Sequence, residues 1–294
     1  MTIHVVFEGT DGMGKTTQWN RCVKSLRAAG YNVKDTREPG SLWQPITMIF
    51  RNWMLDPKYQ EDAALLRREI LAMLEDPTNT AFLTVHARVF LRIVASGNIA
   101  TVQPMERELI SQAIRSIHHK LLLQPTVESK TYDYIIQDRG TLSGLAYGQS
   151  RGNEAQWLSD LAMMVTDTTS LEEAIGFYTH IIYFHGDVAK GLARSHAARG
   201  GAPADVIERD GVEGMKKVVK GFDDFIPVCK RVLGDRFVSI EMEGKTEDEV
   251  EALVKAVIPV QRKKRARVCK RTHLQCVPGE QRKKAKLDEE ETAT

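Results

Sequence analysis

Five short apolar runs punctuate the chain, and a longer stretch of helical periodicity follows each of them. The runs are IHVVFE (3–8), YNVKDT (31–36), YDYIIQ (132–137), THIIYFH (179–185) and RFVSIEM (236–242). Their β-branched and aromatic content and their length predict buried strands. Between them, apolar residues recur every three to four positions. This predicts helices over Thr16 to Ala29, about Leu42 to Leu55, EDAALLRREILAML, VHARVFLRIVA, the strongly amphipathic PMERELISQAIRSIHHKLLL (104–123), 154–165, a helix–loop–helix over 187–232, and EDEVEALVKAVI. Residues 56–103 are less regular, and DPTNT reads as a joint between two of their helices. Alternating strands and helices predict an α/β fold with a parallel sheet covered on both faces. No internal repeat is visible.

The turn after the first run carries chemistry. Gly9, Gly14, Lys15 and Thr16 match the P-loop pattern G-x-x-x-x-G-K-[ST], between a strand and a helix as the motif requires. Gly9, Gly12 and Gly14 let the backbone turn so that several N–H groups converge on one phosphate. The segment Gly9, Thr10, Asp11, Gly12, Met13, Gly14, Lys15, Thr16 and Thr17 is thus the expected ATP cradle. Lys15 reaches the β/γ-phosphates, Thr16 offers its hydroxyl to Mg²⁺, and the helix adds its positive end. Asp138 and Arg139 end the buried strand YDYIIQ, where open α/β sheets bind ligands. A carboxylate there holds Mg²⁺ or accepts a proton, and the arginine clamps phosphate.

Composition adds an asymmetry. The 294 residues are 42% hydrophobic and 27% charged, ordinary for a globular protein. No run of apolar residues is long enough to span a membrane, and the chain opens on a core strand, so neither a transmembrane helix nor a signal peptide is expected. Cys22, Cys229, Cys269 and Cys276 show no paired spacing, which suggests a reducing, cytoplasmic setting. Cys269, His273 and Cys276 are three ligand types in a basic tail, a weak metal signal. Residues 1–260 hold 30 Lys+Arg against 34 Asp+Glu, whereas 261–294 hold 11 against 5. That net +6 tail, QRKKRARVCKR to LDEEE, has little to bury and is expected to be disordered alone. It reads equally as a solubilising tail or as a DNA-backbone contact; two spaced basic clusters also suit nuclear import.

Taken together, FEGTDGMGKTTQ, TREPG, QDRGTLSGLAYG and IIYFHGDVAKGLARSHAARGG resemble the thymidylate kinase family of nucleoside monophosphate kinases, in the same order, over 3–55 and 104–258. The resemblance implies the P-loop kinase fold, ATP and Mg²⁺, a pyrimidine deoxynucleotide acceptor, and commonly a homodimer. It implies that Arg37 and Arg139 bind the acceptor phosphate, Asp11 the sugar 3′-hydroxyl, and Arg115 the base, while Tyr147 crowds the 2′ position. Arg194 and Arg199 would bring charge to the transferring phosphoryl from a lid, 194–209, because Gly12 stands where other members carry a P-loop arginine. Catalysis then rests on Lys15, Asp138, Arg194 and Arg199, and metal binding on Thr16 and Asp138.

Three departures stand out. Ser111 falls on the family's base-stacking phenylalanine, Gly140 on its usual tyrosine, and Gly148 on a glutamine or threonine, so a widened acceptor side is expected. With the helical insertion 56–103 and the tail 261–294 flanking a kinase domain within 1–260, these features favour one reading: a kinase for the 5-hydroxymethyl group of 5-hydroxymethyluracil in bacteriophage DNA, a DNA-modification step. The alternative is a kinase for free dTMP or a modified pyrimidine deoxynucleotide. A remote third reading is a non-catalytic, ATP-gated DNA-binding protein.

Overall fold

The computed structural model describes residues 2–38, 63–81, 83–96, 103–198, 200 and 210–259. The expected helix at 42–55, Arg199 with nearly all of the lid beyond it, and the tail 261–294 lie outside these residues.

The five apolar runs form one parallel sheet. β1 (Ile3–Gly9), β2 (Val33–Arg37), β3 (Tyr134–Asp138), β4 (His180–His185) and β5 (Phe237–Glu241) lie in the order β2-β3-β1-β4-β5. The two central neighbours of β1 are in register so that Phe7 pairs with Asp138 and with Ile182. The strand order reverses beside β1, which puts its C-terminal end at the point where such sheets open a crevice.

Alternation along β1 divides the core. Val5 and Phe7 point to the face covered by α1 (Lys15–Ala28) and, later in the chain, by α12 (Glu247–Val257). Val6 joins a second cluster on the opposite face, built with two helices described below. A polar seam runs along that second face: His4 Nε2 lies 2.7 Å from Gln137 Oε1, both residues buried.

The described residues between 63 and 96 form a helical layer that shares a hydrophobic cluster with the helix after it and with Leu161 and Val165. α2 (Ala63–Glu75), α3 (Pro77–Thr80) and α4 (Val85–Ser96) precede α5 (Gln103–His118). Leu66, Ile70, Phe90, Leu91 and Val94 pack against Ile110, Ala113, Ile114 and Ile117 of α5. Arg67 adds an ion pair to Glu106 at 2.6 Å. The DPTNT joint is itself helical. Asp76 caps α3 by accepting the Thr78 N–H at 2.8 Å, and Pro77 supplies a first position preset for helix.

The long helix expected over 104–123 is also modified. It is α-helical only to His118, widens into a π turn at His119–Leu123, and resumes as α6 (Gln124–Ser129). Pro125 explains the break, since it has no N–H to continue an i→i−4 ladder.

The rest of the described fold is α7 (Thr141–Ser150), α8 (Ala155–Thr166), α9 (Leu171–Gly176), α10 (Val188–Ala198) and α11 (Gly211–Leu233). Leu142 and Leu145 of α7 pack with Met215, Phe222 and Phe225 of α11 over Val6. Among the described residues, no helix is long and apolar enough to cross a membrane.

Candidate active site

The P-loop is shaped by what lies over it. Gly12 has φ +73°, and a Cβ there would sit 1.8 Å from the carbonyl oxygen of Gly191 in α10. No side chain fits at position 12, so cationic charge has to reach the loop from elsewhere. Arg194, on the same helix as Gly191, donates from Nε and Nη2 to the Gly12 carbonyl, each at 3.1 Å. Gly14, with φ +69°, caps α1 at the turn into Lys15.

Lys15 is buried and donates from Nζ to the Thr10 carbonyl at 2.5 Å. Burial, reinforced by the Arg139 charge, brings its pKa down to about 8. Thr16 donates its hydroxyl to Asp138 Oδ2 at 3.1 Å. Asp138 is also held by Arg37, through Nε at 2.9 Å and Nη2 at 2.6 Å, and Arg37 Nη2 further donates to Thr16 Oγ1 at 3.1 Å. Asp138 Oδ1 is buried and has no hydrogen-bond partner.

Arg139 takes a backbone conformation that side chains rarely adopt, with φ +65°. This turn points its guanidinium back across the sheet end, where it pairs closely with Asp11 Oδ1 and lies 4.9 Å from the Tyr147 ring centre. Tyr147 donates to Asp11 Oδ2 at 2.9 Å. Burial works against a charge on Asp11, but Arg139 and Lys15 outweigh it and hold the carboxyl below its usual range.

A cleft of about 660 Å³ opens among these groups. Asp11, Gly12, Gly14, Lys15, Thr16, Thr17, Arg37, Asp138, Arg139 and Arg194 line it, so ten of the expected residues meet at one opening. Met242, Lys245 and Glu247, from the segment after β5, line it as well and carried no sequence signal. Five arginines and lysines against three carboxylates around the cleft suit a polyphosphate with its counter-cation. Among the described residues no group of three His, Cys, Asp or Glu side chains is arranged to hold a metal. A cation here would take Thr16 and Asp138 plus phosphate oxygens and water, the donor set usual for Mg²⁺, and the unpartnered Asp138 Oδ1 fits that use.

Arg115 belongs to a second, much tighter cleft. Glu38, Gln112, Arg115, His119, Thr141, Leu145 and Tyr178 are among its lining residues, and its volume is about 10 Å³, less than one water's share of liquid. Arg115 Nε donates to Glu38 Oε2 at 3.1 Å, and its Nη1 lies 3.8 Å from Glu108 Oε1. Glu108 is fully buried, accepts from Gln112 at 2.6 Å and pairs closely with Arg151. Burial opposes a charge on Glu38, but the His118 hydrogen bond and the Arg115 charge keep its carboxyl low. Burial brings His119 down to about 4, so that imidazole is neutral.

Among the described residues, the glycines read as widening the acceptor side leave no open space. A Cβ at Gly140 would lie 2.7 Å from the Tyr178 hydroxyl, at Gly144 2.2 Å from Arg115 Nη1, and at Gly148 2.5 Å from Leu158. Neighbouring side chains have filled the space that the glycines leave. Ser111 is buried on α5 but does not line this cleft. The residues missed here, Glu108 and Gln112, share a stripe with Arg115 at helical spacing. Polar residues at buried phases of an otherwise amphipathic helix were the signal that would have found them.

Comparison with known proteins gives the same picture over most of the chain. No family model matches the sequence. Thymidylate kinase from Caldicellulosiruptor saccharolyticus is 26% identical over 254 residues, 86% of this chain and 94% of its own. That from Deinococcus radiodurans is 26% identical over 257 residues, 87% of this chain and 96% of its own. A shorter match, to thymidylate kinase from Geobacter sulfurreducens, reaches 48% identity over 56 residues, 19% of this chain and 25% of the relative. With a P-loop at the switch point of a parallel sheet, and relatives aligned over nearly their whole length, the chain belongs to the thymidylate kinase family and is a P-loop kinase, a phosphotransferase.

Proposed function

We propose that the protein transfers the γ-phosphoryl group of ATP to the 5′-phosphate of a pyrimidine deoxynucleoside monophosphate, with dTMP as the acceptor. One observation carries the reading: the P-loop residues Lys15 and Thr16 share a cleft with Asp138, Arg139, Arg37 and Asp11, the last of which accepts from Tyr147. Relatives described as thymidylate kinases support the free nucleotide over a base in DNA.

In this reading the P-loop amides and Lys15 bind the β- and γ-phosphates. Thr16 and Asp138 would hold Mg²⁺, whose positive charge would act against the phosphate oxygens. Arg194, with Arg199 in the lid 194–209, stabilises charge on the transferring group. Arg37 exchanges Asp138 for the acceptor phosphate and clamps it together with Arg139. Asp11 accepts from the sugar 3′-hydroxyl, and Tyr147 fills the space beside it. Arg115, freed from part of its ion pairing, hydrogen-bonds the base. The kinase domain comprises residues 1–260 with 56–103 as a helical insertion, and the tail 261–294 has no part in the transfer.

The test uses γ-labelled ATP with dTMP, 5-hydroxymethyl-dUMP, or DNA containing 5-hydroxymethyluracil. Label appearing in a nucleoside diphosphate is the expected result, and a chain cut after residue 260 should retain it. Label confined to the DNA would overturn the reading.

A further inference from the structure

Glu8 is fully buried at the end of β1, one residue before the P-loop motif begins, and no step above uses it. Strand alternation turns it to the same face as Val6, where it meets the start of α7. Its Oε1 accepts the Gly140 N–H at 2.9 Å and the Ser143 N–H at 3.2 Å, and its Oε2 accepts a short hydrogen bond from the Ser143 hydroxyl. Gly140 is the N-cap of α7 and has no side chain to offer. A carboxylate from the neighbouring strand thus satisfies N–H groups that an Asp or Ser at the cap would ordinarily take.

The arrangement is costly in isolation, because a carboxylate loses its hydration there. Burial is the dominant influence and raises its pKa to about 7, against the Ser143 hydrogen bonds and the Arg139 charge. What it gains is connection. α7 starts directly after the Asp138–Arg139 turn and carries Tyr147, which bonds Asp11 in the loop that β1 feeds. One side chain therefore links the strand under the P-loop to the element that carries the other half of the cleft.

We propose that Glu8 is a positioning residue: by fastening the N-terminus of α7 to β1, it holds Arg139 and Tyr147 in register with the P-loop and so sets affinity for the acceptor. The inference rests on the proposed function, in which Arg139 and Tyr147 contact the acceptor. The charged and titratable groups around Glu8 are Arg139 and Glu38 beyond β3 and β2, Lys15 on α1, Tyr178 and Tyr183 beside and on β4, and Cys229 on α11. Of these, Arg139 and Lys15 favour its charge.

The experiment compares wild type, Glu8→Ala and Glu8→Gln by steady-state kinetics, by calorimetric binding of a non-hydrolysable ATP analogue, and by hydrogen exchange at the amides of 140–143. Glu8→Ala should raise the acceptor KM about tenfold while donor affinity stays within about twofold, a split that a general loss of folding would not give. Exchange at 140–143 should accelerate in the same variant. Glu8→Gln keeps an oxygen for both N–H groups and can donate to the Ser143 oxygen, so it should restore both properties. It should also flatten any change in acceptor KM between about pH 6 and about pH 8. Equal weakening of donor and acceptor, unchanged exchange in Glu8→Ala, or a Glu8→Gln that behaves like Glu8→Ala would overturn the inference. If Glu8→Ala does not fold, Glu8→Asp serves instead: its shorter carboxylate should lose the Ser143 N–H, and wild-type acceptor KM and exchange in that variant would refute the role. Exchange needs no substrate, so a protein with the expected exchange pattern that fails to phosphorylate dTMP would refute the acceptor assignment and leave Glu8 in its role.

Discussion

The cleft over the P-loop and the cleft beside Arg115 are built from different materials. The first is anchored on one short turn, with Gly12 under Gly191, Gly14 capping α1 and Lys15 bonded to the Thr10 carbonyl, and charged side chains from β2, β3 and α10 close around that turn. The second is an ion-paired mesh drawn from distant parts of the chain, with Glu38 after β2, Glu108 and Arg115 on α5, and Arg151 after α7. A phosphate site made of amides tolerates almost any surroundings that leave the turn intact. A site made of buried charges, as proposed for the base, is only as good as every partner in it, because removing one leaves another uncompensated. The donor end of such an enzyme is therefore expected to be robust and the acceptor end adjustable.

The largest test of that contrast is at the donor end. Lys15→Ala should lower turnover by about 10³-fold while the thermal midpoint changes little, because the side chain serves the ligand and bonds only one carbonyl. Steady-state rates and calorimetry check both halves; retained turnover would show that the phosphate site lies elsewhere. Asp138→Asn follows, with an expected loss of about 10²-fold in kcat and donor affinity largely kept. Asp138 also receives Arg37, so a collapse in stability instead of rate would mean that the pair is chiefly structural.

Gly144→Ala addresses the mesh. Its Cβ would fall 2.2 Å from Arg115 Nη1. The guanidinium must shift against its hold on Glu38, so acceptor KM should rise about tenfold with donor KM unchanged. Helix propensity favours alanine by about 1 kcal/mol, so stability should hardly fall. A matching rise in donor KM would break the separation between the two clefts. The smallest effect is expected from Arg194→Ala, an exposed arginine resting on the Gly12 carbonyl. Turnover should fall by roughly fivefold, more than ATP affinity does, because lid charge acts on the transition state. Equal losses in both would assign it to ground-state binding.

Local patterns in the sequence determined the strands, the helices that cover them and the phosphate loop. IHVVFE next to G-x-x-x-x-G-K-[ST] is a strand, a turn and a helix written within sixteen residues, and each part constrains the next without help from distant chain. Asp138 and Arg139 were legible too, because a polar pair that ends a buried strand has few uses. The insertion was legible only as helical: that Asp76 and Pro77 start a turn, and that Pro125 breaks the long helix, are visible signals whose weight depends on packing. The acceptor side was the least legible. Ser111, Gly140 and Gly148 look like missing side chains, but whether a glycine leaves a hole depends on what moves into it. Tyr178 and Leu158 come from other elements, and only the tertiary structure brings them there. The same holds for Glu8, a single acidic residue at the end of an apolar run, whose partners Gly140 and Ser143 lie more than 130 residues away. Backbone turns are settled by neighbours in sequence, whereas buried charge is settled by neighbours in space.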